Sequence, residues 1–278
     1  MKRMVCTIVL AAGLLMSCDD KNDKGLEWVS ETTQTAFTTQ YPSAKSVGWE
    51  KRNTYLVADF KQDNKDTEAW YDNNGVWYMT ETDIPFDALP SAVKTSFQQS
   101  EYKNWKVDDV DMIERKDMET VYVIEVEEGN TETDIYYSPD GILIKAVADV
   151  DTDDDYEDFI PAQPAGNVEE YIKTTYPDAR IIEIEKEKDM TEVDILDGKV
   201  KRELLFKADG SWVQTKTDVH ASELPSAVVA AIKASPYATY EIDDAEFIQT
   251  PSEEWYLVEL EQGKLEVDLR ITEDGIIL

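Results

Sequence analysis

The side chains able to do acid–base or nucleophilic chemistry are few in kind. A single histidine, His220, stands in Thr217-Asp-Val-His220, just ahead of a helix opened by Pro225. The two cysteines are Cys6 and Cys18. A Ser–His–acid arrangement would have to use His220 and would also need a serine exposed on a supporting element, so His220 reads as a surface-loop residue. There is no phosphate loop, no dinucleotide glycine pattern and no Cys/His zinc cluster. The 60 acidic residues supply neighbouring pairs such as Asp108/Asp109 and Asp243/Asp244, which in principle could act as acid and base. Pairs arise by chance among so many carboxylates, and nothing singles out a perturbed one. The expectation is a protein that is not an enzyme and carries no organic cofactor.

The sharpest metal candidate is the run 149–155, where Asp149, Asp151 and Asp153 alternate like the opening of a calcium loop. The glycine expected at the sixth place is Asp154 and the closing glutamate position is Ile160. Those departures reduce the run to a weak calcium candidate inside a solvated linker. The formal charge of −33 becomes −35 once Lys2 and Arg3 are removed. Such a field repels nucleic acid and anionic lipid, favours cationic partners or divalent ions, and keeps an exported protein soluble.

Residues 1–18 read as a targeting segment. Lys2 and Arg3 form its positive start, and the apolar run from Met4 to Met16 is too short to span a bilayer as a mature helix. It ends in Leu15-Met-Ser-Cys18, which resembles a bacterial lipobox with Cys18 as the lipidated residue. Acyl chains there would hold the protein to a membrane, the only membrane contact expected. The following Asp19-Asp-Lys-Asn-Asp23, within an acidic tether over 19–27, resembles the export signal of surface lipoproteins. An outer-membrane lipoprotein, facing the periplasm or the cell surface, is the expected location. Cys6 leaves with the segment, so no disulfide is available and packing must hold the fold.

The elements that would position a site come from a repeat. Leu89-Pro-Ser-Ala-Val93 returns as Leu224-Pro-Ser-Ala-Val228, 135 positions on, and Gly75-Val-Trp77 answers to Gly210-Ser-Trp212 at the same offset. A fixed period settles architecture before any local reading. Each copy holds two helix patterns ended or opened by proline, and each helix is followed by about four short strands with a glycine turn before the last. The fold class is therefore α+β: four α-β-β-β-β units in two pairs, as helix-backed antiparallel sheets. Domain 1 spans 28–148, an acidic linker 149–165, and domain 2 166–278.

Aligning the glycine turns puts Tyr71, Tyr137, Phe206 and Ile271, with Ala69, Ile135, Leu204 and Leu269, on the helix side of the strands. Trp70, Tyr136, Leu205 and Arg270 then point the other way. These four are the candidate partner-binding residues, because aromatics on an open sheet anchor recognition. Packing of sheets, or cover by the linker, is the competing reading of Trp70 and Tyr136. Trp77 and Trp212 follow their turn glycines and are expected in the core.

The order helix, strands, aromatic, Asp/Asn-Gly turn, Trp, then Leu-Pro opening the next helix resembles the PepSY-like family of secreted Bacteroidetes proteins. The residues that carry the likeness are Tyr71, Gly75, Trp77, Leu89 and Pro90, and again Phe206, Gly210, Trp212, Leu224 and Pro225. The second unit of each pair departs, with Leu143 and Ile277 where tryptophan would stand. The family's fold is likened to the β-lactamase inhibitor protein. That resemblance implies a concave sheet face holding a protein or peptide, and related modules in protease propeptides suggest inhibition of a hydrolase. The expectation is a lipid-anchored, monomeric binding protein. A carbohydrate-binding accessory lipoprotein, stacking sugar rings on the same aromatics, is the alternative.

Overall fold

A computed structural model describes residues 28–149, 159, 160, 162 and 166–278. The chain divides into two compact units between Ile160 and Pro161. In unit 1, α1 (Glu31–Gln40) is followed by β1 (Lys45–Arg52), β2 (Tyr55–Gln62), β3 (Lys65–Tyr71) and β4 (Trp77–Asp83). Then come α2 (Ser91–Gln99), β5 (Lys106–Arg115), β6 (Val121–Glu128), β7 (Thr131–Tyr137) and β8 (Leu143–Asp149). All eight strands form one antiparallel sheet in sequence order, with β4 paired to β5. The two halves of the unit thus share one continuous sheet.

Unit 2 repeats the order with α3 (Gly166–Thr175), β9 (Arg180–Glu187), β10 (Met190–Asp197), β11 (Val200–Lys207), β12 (Trp212–Asp218), α4 (Ser226–Ala234), β13 (Glu241–Gln249), β14 (Glu254–Gln262) and β15 (Leu265–Ile271). Its sheet has seven strands. Where a fourth strand is expected in the last unit, the described residues form the isolated bridge Ile271↔Ile277.

Each helix buries one short stripe at i, i+4: Thr33 and Phe37, Val93 and Phe97, Val168 and Ile172, Val228 and Ile232. Phe37 packs with Ala58, Phe60, Ala69 and Tyr71, while Val93 and Phe97 pack with Val110, Ile124, Ile135 and Tyr137. The α4 stripe meets Ala245, Val258, Leu269 and Ile271. The register inferred from the glycine turns therefore holds. Gly141 and Gly275 adopt φ of +81° and +84°, and a Cβ on either would lie 2.6 Å from the carbonyl oxygen of Ala92 or Ala227. The turn after β7 and the turn after β15 thus touch the first turn of α2 and α4, and only glycine fits both the conformation and the gap. Trp77 and Trp212 are half-buried, their indole N–H groups donating to Thr80 and Thr215 at 2.8 and 3.0 Å. Trp212 stacks on Tyr171 at 5.7 Å. They pack, as expected.

Candidate functional site: the outer face of the sheets

The sheet face turned away from the helices is where the candidate residues lie. In unit 1, cross-strand partners place Val57, Trp70, Met79 and Arg115 in one row across β2 to β5. A second row carries Asp59, Glu68, Glu81, Ile113 and Val121. A third carries Asp83, Asp111, Val123, Tyr136 and Lys145. One side of this face is apolar and the other acidic.

Exposure does not match the expectation of open aromatic anchors. Trp70 is fully buried and Tyr136 is 7% exposed. Among the described residues, Trp70 is flanked by the Tyr55 ring at 6.1 Å and covered by the Arg52 guanidinium 5.0 Å from its centroid. Arg52 is itself held by a two-pronged pair with Glu68 at 2.8 and 3.0 Å. Tyr136 is covered by Phe159, whose ring lies 5.3 Å away. Phe159 comes from the segment expected to be a solvated linker, yet it is 4% exposed. The Arg115 guanidinium stacks 3.7 Å over its ring and the Lys145 ammonium lies at 4.9 Å. Arg115 is itself 3% exposed. The reason is the size of the apolar half: Val57, Met79, Ile113, Val121 and Val123 all lie on this face with no exposed surface, and such a patch is stable only when covered.

The other two candidates belong to the second sheet. Leu205 is half-buried between Glu192 and Gln214, and Arg270 is exposed, stacked 4.0 Å over Trp255. The four residues are thus divided between the two units, Trp70 and Tyr136 in unit 1 and Leu205 and Arg270 in unit 2. Cys18, Asp151 and Asp153 lie outside the described residues. So does the side chain of Asp149, whose backbone closes β8. His220 is exposed ahead of a 3₁₀ turn at Ala221–Glu223. Asp109 and Asp244 sit next to bulges, opposite Glu125 and Glu259.

Sequence reasoning missed a different acidic pattern. In each of the four repeat units one hairpin (β2–β3, β6–β7, β10–β11 and β14–β15) sets an acid directly opposite an acid on the outer face: Asp59↔Glu68, Glu125↔Asp134, Asp194↔Glu203 and Glu259↔Asp268. The signal was present as acids nine positions apart in each of these four hairpins. Like charges placed so raise carboxyl pKa values. Burial, then Asp134, pushes Glu125 up to about 7. Burial pushes Asp194 up to about 6, against the Lys201 ammonium 3.0 Å away. Desolvation with Asp268 raises Glu259.

The two units answer this charge differently. In unit 2, Lys201 and Lys216 lie among the acids, with Lys216 3.1 Å from Glu203. The positions 135 residues earlier are Asp66 and Glu81. Carboxylate oxygens of Glu81, Asp83 and Asp111 approach within 4.8 Å of one another, with Glu81 and Asp111 buried. Oxygen donors at that spacing suit a hard divalent cation in type. None of the described helices is long and apolar enough to cross a membrane.

Several solved structures are similar to parts of this chain. A BLIP-like protein from Bacteroides fragilis is 38% identical over 45% of this chain and 89% of its own, with a TM-score of 0.43. A DUF2874 family protein from Bacteroides ovatus is 32% identical over 45% and 90%, also at 0.43. A protein from Bacteroides eggerthii described as periplasmic is 27% identical over 43% and 88%, at 0.42. No curated protein matches the chain. A family model described as beta-lactamase-inhibitor-like, PepSY-like matches residues 53–145, 155–201 and 189–278, which is most of the sequence. With that coverage, and with the helix-backed antiparallel sheets in both units, the chain belongs to the PepSY-like family.

Proposed function

We propose that this is a lipid-anchored, non-enzymatic envelope protein that binds an extended protein or peptide segment on the outer sheet face of unit 1. The observation that supports this most directly is Phe159. An aromatic side chain from a segment outside the sheet is held there between Arg115, Lys145 and Tyr136. A face that takes such a residue from its own chain has the shape and chemistry to take one from a partner. Cation–π contacts and aromatic packing are typical of interface anchors. The family description adds inhibition of a hydrolase as the role such binding would serve. Sugar stacking is less well supported, because Trp70, its best platform, has no exposed surface.

Phe159→Ala should empty the cage. A labelled peptide with the sequence of residues 152–162 should then bind that variant saturably, and Arg115→Ala in the same background should abolish binding. If the peptide fails to bind the Phe159→Ala protein, the face is not a peptide site. Inhibition is tested separately, by assaying β-lactamases and envelope peptidases with and without the protein. No inhibition would remove the inhibitor role and leave binding intact.

A further inference from the structure

Phe159 sits in a cage that the repeat does not require. The Arg115 guanidinium lies 3.7 Å from the centre of its ring and the Lys145 ammonium 4.9 Å. The Tyr136 ring, 5.3 Å from that of Phe159, carries the same ammonium at 5.1 Å. In unit 2, Thr250 and Arg270 stand at the positions of Arg115 and Tyr136. The helix-backed sheet therefore forms without this grouping, which is a property of unit 1.

Phe159 and Arg115 are 4 and 3% exposed, so water screens their contact little. The face of an aromatic ring carries negative potential, and a cation held over it out of water gains most. An aliphatic side chain of the same size would fill the space but present no such face. Arg115 above all would then lose part of what offsets its leaving water. A basic side chain would be repelled. The cage thus discriminates by ring electronics, and apolar bulk alone does not satisfy it.

The ring in the cage comes from the same chain, so it is present at a high effective concentration, and a partner must displace it. A partner bringing another phenyl ring gains nothing over the resident one. An indole gains on both counts, because it is the strongest cation–π acceptor among the side chains and buries more apolar surface. We infer that the cage is a self-occupied recognition site selective for aromatic rings, and that the partner it admits presents an exposed tryptophan in an extended segment. This rests on the peptide-binding reading of the outer face, and adds to it the residue type that is read and the internal competitor.

The probes are labelled peptides with the sequence of residues 152–162, carrying Phe159, the change Phe159→Trp, or cyclohexylalanine in place of Phe159. They are titrated into the full chain with Phe159→Ala. The cyclohexylalanine peptide is as apolar as the parent but has no π face, and should bind about tenfold more weakly. The tryptophan peptide should bind more tightly than the parent. Lys145→Met keeps the aliphatic stem and removes the charge, so it should narrow the gap between phenylalanine and cyclohexylalanine. A merely structural loss would weaken both alike. The chain that retains Phe159 should bind the tryptophan peptide about tenfold or more weakly than the Phe159→Ala chain does. Equal affinity of the phenylalanine and cyclohexylalanine peptides overturns ring selection, and equal affinity of the two proteins overturns self-occupancy. A tryptophan peptide no tighter than the parent overturns the indole partner. If no peptide binds, the peptide-binding reading falls, and ring selection is decided within the chain. There Phe159→Leu should speed hydrogen exchange in β7 and β8, whereas Phe159→Trp should not. Equal exchange in those two variants would overturn ring selection as well.

Discussion

At the scale of single residues, two side chains report on the outer face. Glu125 is the first. Its folded pKa of about 7 lies above the ordinary carboxylate value, so the folded state binds the proton more tightly than the unfolded one. Stability from this group is full below the ordinary carboxylate range and is lost as pH rises towards about 7. Asp194 behaves the same way, with the loss complete near 6. Glu125→Gln should therefore raise the urea midpoint at pH 8 and leave it nearly unchanged at pH 4.5. After allowance for solvent screening the gain is about 1 kcal/mol. A larger gain at the acidic end would refute the assignment. Phe159 is the second. Phe159→Ala should destabilise unit 1 by about 2 kcal/mol through lost apolar burial. Faster hydrogen exchange in β5 to β8, with β9 to β15 unaffected, is the expected readout.

At the scale of elements, the hairpin turn and the helix are a single device. Gly141 and Gly275 touch helix backbone, whereas Gly129, also at positive φ, has nothing within 4 Å of its would-be Cβ. Gly129→Ala should cost about 1 kcal/mol, the conformational penalty alone. Gly141→Ala adds a clash with the Ala92 carbonyl and should cost about 3 kcal/mol. Equal costs in denaturant titrations would show that the turn does not brace α2. The acid-on-acid hairpins are a second element-scale feature. They withhold stability from these four hairpins, and apolar packing on the helix side must outweigh that loss.

At the scale of the molecule, duplication produced two sheets of the same register with different outer faces. Unit 1 covers its apolar half with Phe159 and keeps acids at positions 66 and 81. Unit 2 has Lys201 and Lys216 there. Membrane attachment through Cys18 is the remaining molecular-scale proposal. Cys18→Ser should shift the protein from the membrane pellet to the soluble fraction and abolish incorporation of a fatty-acid label. Retention of the label would exclude Cys18 as the acceptor.

The amino-acid sequence alone determined the duplication, the helix stripes, the antiparallel hairpins and which side chains share a face. Those properties are local or periodic: a two-residue alternation and a glycine turn fix where Trp70 and Tyr136 point. It could not decide whether that face is open. Phe159 reaches Tyr136 across 23 positions of chain, and Arg115 and Lys145 arrive from other strands, so cover over the face is a non-local event. The same holds for the fusion of eight strands into one sheet. Burial and strand pairing depend on what lies alongside in space, and only the tertiary structure brought those neighbours together.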